Sequence, residues 1–141
     1  MFGSSDLFTS VDFSNWQPLG NVATERMFEA CNGVQTISFP ASGFAFASQA
    51  RFTFRSCPSL TEIINLGNVD ITACTNISVF ADASTLTTSN YDSILNGWAS
   101  QSVQSGLSTD FGGSQYSLAG ASARNTLVTT FSWTILDGGA E

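Results

Sequence analysis

A phenylalanine returns every 26 residues from the start of this chain, at Phe2, Phe28, Phe54 and Phe80. Other columns keep the same interval. Phe8, Val34, Leu60 and Leu86 form one, and Val11, Ile37 and Ile63 another. Ser5, Cys31, Cys57 and Ala83 form a column of small residues. Phe13 and Phe39 begin a fourth, which breaks at Asn65 with Leu66 next door. A period of roughly 20–29 residues is the mark of a solenoid, in which each repeat is one coil and each column stacks into a ladder. Such an architecture presents a surface and leaves little room for an enclosed catalytic pocket.

The repeats read as 1–26, 27–52, 53–78 and a shortened fourth from 79. Val11-Asp12-Phe13, Ile37-Ser38-Phe39 and Ile63-Ile64-Asn65 alternate as short strands do. Stacked coils would pair these strands in parallel. Pro18-Leu19-Gly20, Pro40-Ala41-Ser42-Gly43 and Gly67-Asn68 supply turns for the return legs. The pattern stops near Leu86. Thr88-Ser89-Asn90 predicts a helix cap, and Tyr91, Ile94, Leu95 and Trp98 make an apolar helical stripe. Residues 107–111 read as a strand. A second helix follows from about Ser117, with Leu118, Ala121, Ala123, Leu127, Val128 and Phe131 on its packing face. Trp133-Thr134-Ile135 reads as a last strand. Strand–helix–strand favours a parallel crossover, expected here to extend the sheet by two strands. The expectation is one domain over 1–141, with repeats at 1–88 and a helix–strand–helix–strand cap at 89–141. A jelly roll is the competing fold, and the even spacing weighs against it.

The repeat form apolar-Phe-x-x-Cys-x-x-Leu-x-x-Ile is carried by residues 27–37 and 54–63. It resembles the BspA-type leucine-rich repeats of bacterial surface and bacteriophage proteins. The tail is similar to that family's closing module, through Tyr91-Asp92-Ser93-Ile94-Leu95-Asn96-Gly97-Trp98, Ser114-Gln115-Tyr116-Ser117, Ala121-Ser122-Ala123-Arg124 and residues 133–139. The first repeat departs, with Ser5 and Phe8 at the cysteine and leucine positions. The resemblance implies a leucine-rich-repeat-like α/β solenoid. It also implies a surface protein of adhesive or unestablished role, with no catalytic residues to carry over.

Composition narrows function further. Charged residues make up only 11%, the formal net charge is −7, and histidine and lysine are absent. That disfavours binding to nucleic acid or an anionic bilayer. No stretch is apolar enough to span a membrane, and the start lacks the pattern of a secretory signal. Without histidine or lysine the commonest general base and the Schiff-base nucleophile are missing. Asp70, Asp82, Asp92 and Asp110 are scattered, and Glu25 and Glu29 read as a solvated face around Arg26. No cofactor or metal is expected. Cys31 and Cys57 share a column close enough for a disulfide, and buried thiols are the simpler reading. Asn76-Ile77-Ser78 matches a glycosylation sequon.

The two ends of the pattern differ. The cap covers the last coil, whereas Met1, Phe2, Phe8, Val11 and Phe13 flank a first coil with no coil before it. The expectation is that another subunit or protein docks there, with Trp16 as an exposed contact. Two alternatives remain at this point: a trimmed solenoid, or residues 1–10 folding over the edge. The function expected is therefore non-enzymatic: a bacteriophage virion surface component, of capsid decoration (cement) or tail-fibre type. The alternative is a protein- or glycan-binding module of an adhesin on the bacterial cell surface.

Overall fold

The computed structural model describes residues 8–141. It is an α/β structure of short parallel strands and two helices. Strands β1 (Ser10–Asp12), β2 (Thr36–Ser38) and β3 (Glu62–Ile64) form a parallel sheet in that order. The register places Val11 beside Ile37 and Ile37 beside Ile63. The middle residue of each strand points inward, and Ile37 and Ile63 are fully buried. β-branched side chains suit this pleated, half-buried position. A second line of bridges joins Val22 to Phe46, Ala45 to Asp70 and Gln49 to Asn76. Corresponding residues of successive 26-residue segments therefore lie side by side.

The phenylalanine rings fill the space between these lines. Phe28, Phe54 and Phe80 have no solvent exposure. Phe28 and Phe54 stack at 5.4 Å and 9°, and Phe80 meets Phe54 edge-on at 5.1 Å. Each such pair adds about 0.5–1.5 kcal/mol beyond area burial. Their backbones are laddered too: Phe28 N–H donates to Thr53, Phe54 to Phe80, Ala81 to Asp110 and Phe111 to Leu136. Val34, Leu60 and Leu86 are buried, as are Cys31 and Cys57. Phe2 and Met1 lie outside the described residues. The break in the Phe13–Phe39 column has a local cause. Asn65 takes a left-handed conformation (φ 62°), tolerable for asparagine, and its Nδ2 donates to the Phe39 carbonyl while Leu66 fills the core.

The far edge of the sheet corrects one expectation. The two later strands, β4 (Ser108–Asp110) and β5 (Thr134–Leu136), do not extend β1–β3. They pair with each other in parallel and continue the backbone ladder of the phenylalanine column. Phe111 accordingly meets Phe80 at 5.8 Å. The place beside β3 belongs to helix α1 (Thr88–Ala99). Asn90 accepts from Ile63 N–H at 2.9 Å and donates to the Ile63 carbonyl at 3.1 Å. Gln101, just past α1, does the same for Ile71 N–H and the Val69 carbonyl. Trp98 Nε1 donates to Leu66. Side-chain amides thus stand in for the peptide groups of a further strand. Asn90 is used here and not as a helix cap. The N-cap residue is Thr87, whose side chain makes no cap bond.

Helix α2 (Leu118–Thr129) packs against α1 through small residues, and its own pattern also differs from expectation. Gly120, Ala123 and Leu127 are buried, whereas Leu118 is almost fully exposed. The reason is Asp92 of α1. Its carboxylate accepts from Ser117 N–H (3.0 Å) and Ser117 Oγ (2.6 Å), and a Cβ at position 120 would collide with it. Gly67 and Gly97 allow a similar backbone approach between the 3-10 turn Leu66–Asn68 and α1.

Two substitutions test this arrangement by urea denaturation. Asn90→Ala strips both partners from Ile63 and should cost about 1–3 kcal/mol with an unchanged m-value. Gly97→Ala forces a methyl into the Gly67 carbonyl and should cost roughly 3 kcal/mol or more.

Candidate interaction surfaces

At the outer side of β1 the alternation of the strand decides which groups are available. Thr36 N–H donates to Thr9 and Phe13 N–H donates to Ser38, so odd-numbered residues face β2. The peptide groups of Ser10 and Asp12 turn the other way. Among the described residues no strand pairs with that side. A line of aromatic rings runs from the core to this edge. Phe13 lies 5.8 Å from Phe28 and 5.6 Å from Trp16, and Trp16 meets Phe44 edge-on at 5.4 Å. A tight turn sets Trp16: its N–H donates to the Phe13 carbonyl, and Asp12 accepts from Ser14 N–H. The ring stays 41% exposed, Phe8 is 58% exposed, and Leu19 stands free. Val11 and Phe13 are half-buried. Of the residues expected at this interface, Phe8, Val11, Phe13 and Trp16 lie on or beside β1, while Met1 and Phe2 fall outside the described residues.

A second surface escaped sequence reasoning. The guanidinium groups of Arg26, Arg51 and Arg55 all lie over the ring of Phe52, at 4.7, 5.4 and 5.2 Å. Glu25 pairs with Arg51, and Glu29 pairs with both Arg26 and Arg55. The signal was the interval itself, because Glu25/Arg51 and Glu29/Arg55 are each 26 apart. The reading of Glu25 and Glu29 as merely solvated is corrected: both are ion-pair partners. These half-exposed pairs contribute about 0–1 kcal/mol each. The fourth arginine, Arg124, holds buried Asp137 in a two-pronged pair, with Tyr91 donating to the same carboxylate at 2.7 Å.

Among the other carboxylates, Asp70 and Asp110 lock local turns, whereas Asp82 bonds across to a residue 26 positions earlier. Asp70 accepts from Thr72, Asp82 from Ser56 N–H, and Asp110 from Gly112 N–H. Asn76 of the sequon likewise accepts from Ser78 N–H and Oγ. An open groove of about 550 Å³ lies between the 41–43 turn and the end of α1. It is lined by hydroxyl and amide groups, with Asp70 as its one carboxylate. All three cysteines are buried thiols. Burial pushes the Cys57 thiol up to about 12. It does the same for Cys74, with Asp70 nearby adding to the effect. Burial also raises Tyr91, helped by its bond to Asp137. Trp98 and Trp133 are core residues. Among the described residues no helix is long and apolar enough to cross a membrane.

Comparison of the chain with protein-family models, curated proteins and solved structures found no match.

The raised thiols set a pH dependence. Unfolded cysteine ionises near pH ~8.5, whereas folded Cys57 and Cys74 keep their protons to about 12. Between those values the unfolded state has released protons that the folded state holds. Stability is therefore undiminished below about pH 8.5 and falls as pH rises, by up to about 1.4 kcal/mol per pH unit for each thiol. Urea midpoints should be level near neutrality and drop from about pH 9 upward. Thiol reagents should label the native protein only as fast as it opens. A flat profile to pH ~11, or immediate labelling, would contradict the burial described here.

Proposed function

We propose that the chain is a leucine-rich-repeat-like solenoid of 26-residue coils with a closing C-terminal module. In this reading it is a non-enzymatic structural and interaction protein that docks through the outer edge of β1. The contrast between the two sheet edges carries the reading. The edge at β3 is closed by Asn90, and Trp98 and Gln101 bond the backbone that follows it at Leu66, Val69 and Ile71. At β1, outward peptide groups adjoin exposed Phe8 and Trp16. Unpaired edges invite a strand from another chain, and aromatic residues are the usual anchors of such contacts. Placement on a bacteriophage virion, as a decoration or tail-fibre-type component, draws on the resemblance to BspA-type repeats and on the low-charge surface. Ionic pairing inside the molecule supports a protein partner over nucleic acid, because each arginine already has an acidic partner.

A second reading, a glycan-binding module of a bacterial surface adhesin, rests on the hydroxyl-lined groove beside Asp70.

Ser10→Pro separates docking from folding. Ser10 is the first residue of β1 and its N–H faces outward, so proline there spares the β1–β2 ladder. With Trp16→Ala, it should weaken binding to the capsid or tail proteins encoded alongside the chain by about tenfold or more, or ~1.4 kcal/mol. The thermal midpoint should stay near that of the parent. If the parent protein stays monomeric and binds none of those proteins, or if both variants dock like the parent, the reading fails. Saturable binding of a soluble glycan, lost on Asp70→Ala, would favour the adhesin module instead.

A further inference from the structure

The chain contains two Asn-Gly steps, and the fold gives them opposite surroundings. Asn96-Gly97 lies inside α1. Asn96 Nδ2 donates to the Asp92 carbonyl at 2.8 Å and to the Ala119 carbonyl at 3.1 Å, which ties the amide between the two helices. Gly97 is pressed against the backbone of Gly67. Neither partner can swing toward the other without opening the cap. Asn32-Gly33 occupies an exposed turn, closed by Val34 N–H donating to the Cys31 carbonyl at 3.4 Å. Among the described residues neither the Asn32 side-chain amide nor Gly33 N–H makes a hydrogen bond.

We propose that Asn32 is a site of spontaneous covalent self-modification. The Gly33 backbone nitrogen attacks the Asn32 side-chain carbonyl carbon. A C–N bond forms, the nitrogen gives up its proton, and the side-chain nitrogen leaves as ammonia, closing a succinimide ring. Water then opens the ring at either carbonyl. One route yields aspartate; the other yields isoaspartate, whose backbone carries an extra methylene. The balance is asparagine plus water giving acid plus ammonia, with no oxidant and no second protein. Glycine favours the attack because no side chain shields its nitrogen. The turn is anchored on both sides by buried residues, Cys31 and Val34. The modification therefore adds one negative charge and, in the isoaspartate form, lengthens the chain between two fixed core positions.

The test is ageing of the folded full-length protein in mildly alkaline buffer, followed by peptide mapping and isoaspartyl-methyltransferase labelling. The expected result is mass gain and label at Asn32, with Asn96 still an amide. The rate ratio between the two sites should be about tenfold or more, since Asn96 reacts only from locally opened molecules. In denaturing urea the two sites should convert at similar rates. The Asn32→Asp variant should co-elute with a fraction of the aged material on anion exchange. Retention of the Asn32 amide in folded protein while it converts in urea would overturn the proposal. So would equal conversion of Asn96 and Asn32 in the folded state.

Discussion

Everything in this molecule depends on the chain returning beside itself at a fixed interval. The return lets Val11, Ile37 and Ile63 share one inward column while the phenylalanines share another. Neither column is stable alone. A three-residue strand offers few ladder bonds, and a single short segment cannot bury a ring on both faces. Together they leave backbone groups bonded between successive segments and aromatic rings in contact from Phe28 to Phe111. Hydrogen bonding and packing thus enforce the same register, and a slip of one residue would break both.

The second organising device is the way this ladder is stopped. A parallel sheet has no natural terminus, and its last strand leaves N–H and C=O groups directed at nothing. Here an asparagine and a glutamine present their amides at the spacing of a peptide. The indole of Trp98 adds a third donor. The helix bearing them shields the apolar core at the same time. Helix α2 and the segment after β5 are then held by Asp92 at the start of α2 and by Arg124 on Asp137. Polar groups do most of the positioning at this end, whereas apolar groups do it beneath β1–β3.

That division explains what could be read from residues alone. The columns of Phe, Ile and Cys repeat, and repetition is visible without geometry. Both helices and all five strands among the described residues were legible by period and turn signals. The orientation of the cap was not. Asn90 looked like a helix cap, since nothing local says that its amide meets Ile63, 27 positions earlier. Leu118 looked like core because hydrophobicity was weighed without the Asp92 carboxylate that occupies the space beside Gly120. The cluster around Phe52 was hidden for another reason. Its arginines look like separate charges along the chain, and only the stacking interval puts them over one ring. On the outer side of β1, Phe8 and Trp16 were legible as exposed aromatics near a first strand. The outward direction of the Ser10 and Asp12 peptides required the register.

The clamp formed by Arg124, Asp137 and Tyr91 has a mechanical consequence. It ties α2 to the segment after β5 through charge-assisted bonds in a buried site. Strands β1, β2 and β3 are joined by short ladders that can separate in succession. Tension applied across the β1–β3 sheet therefore peels from the β1 end while the opposite end holds as an anchor. A protein tethered at β1 would yield gradually under shear, shedding rungs before the Arg124–Asp137 clamp gives way.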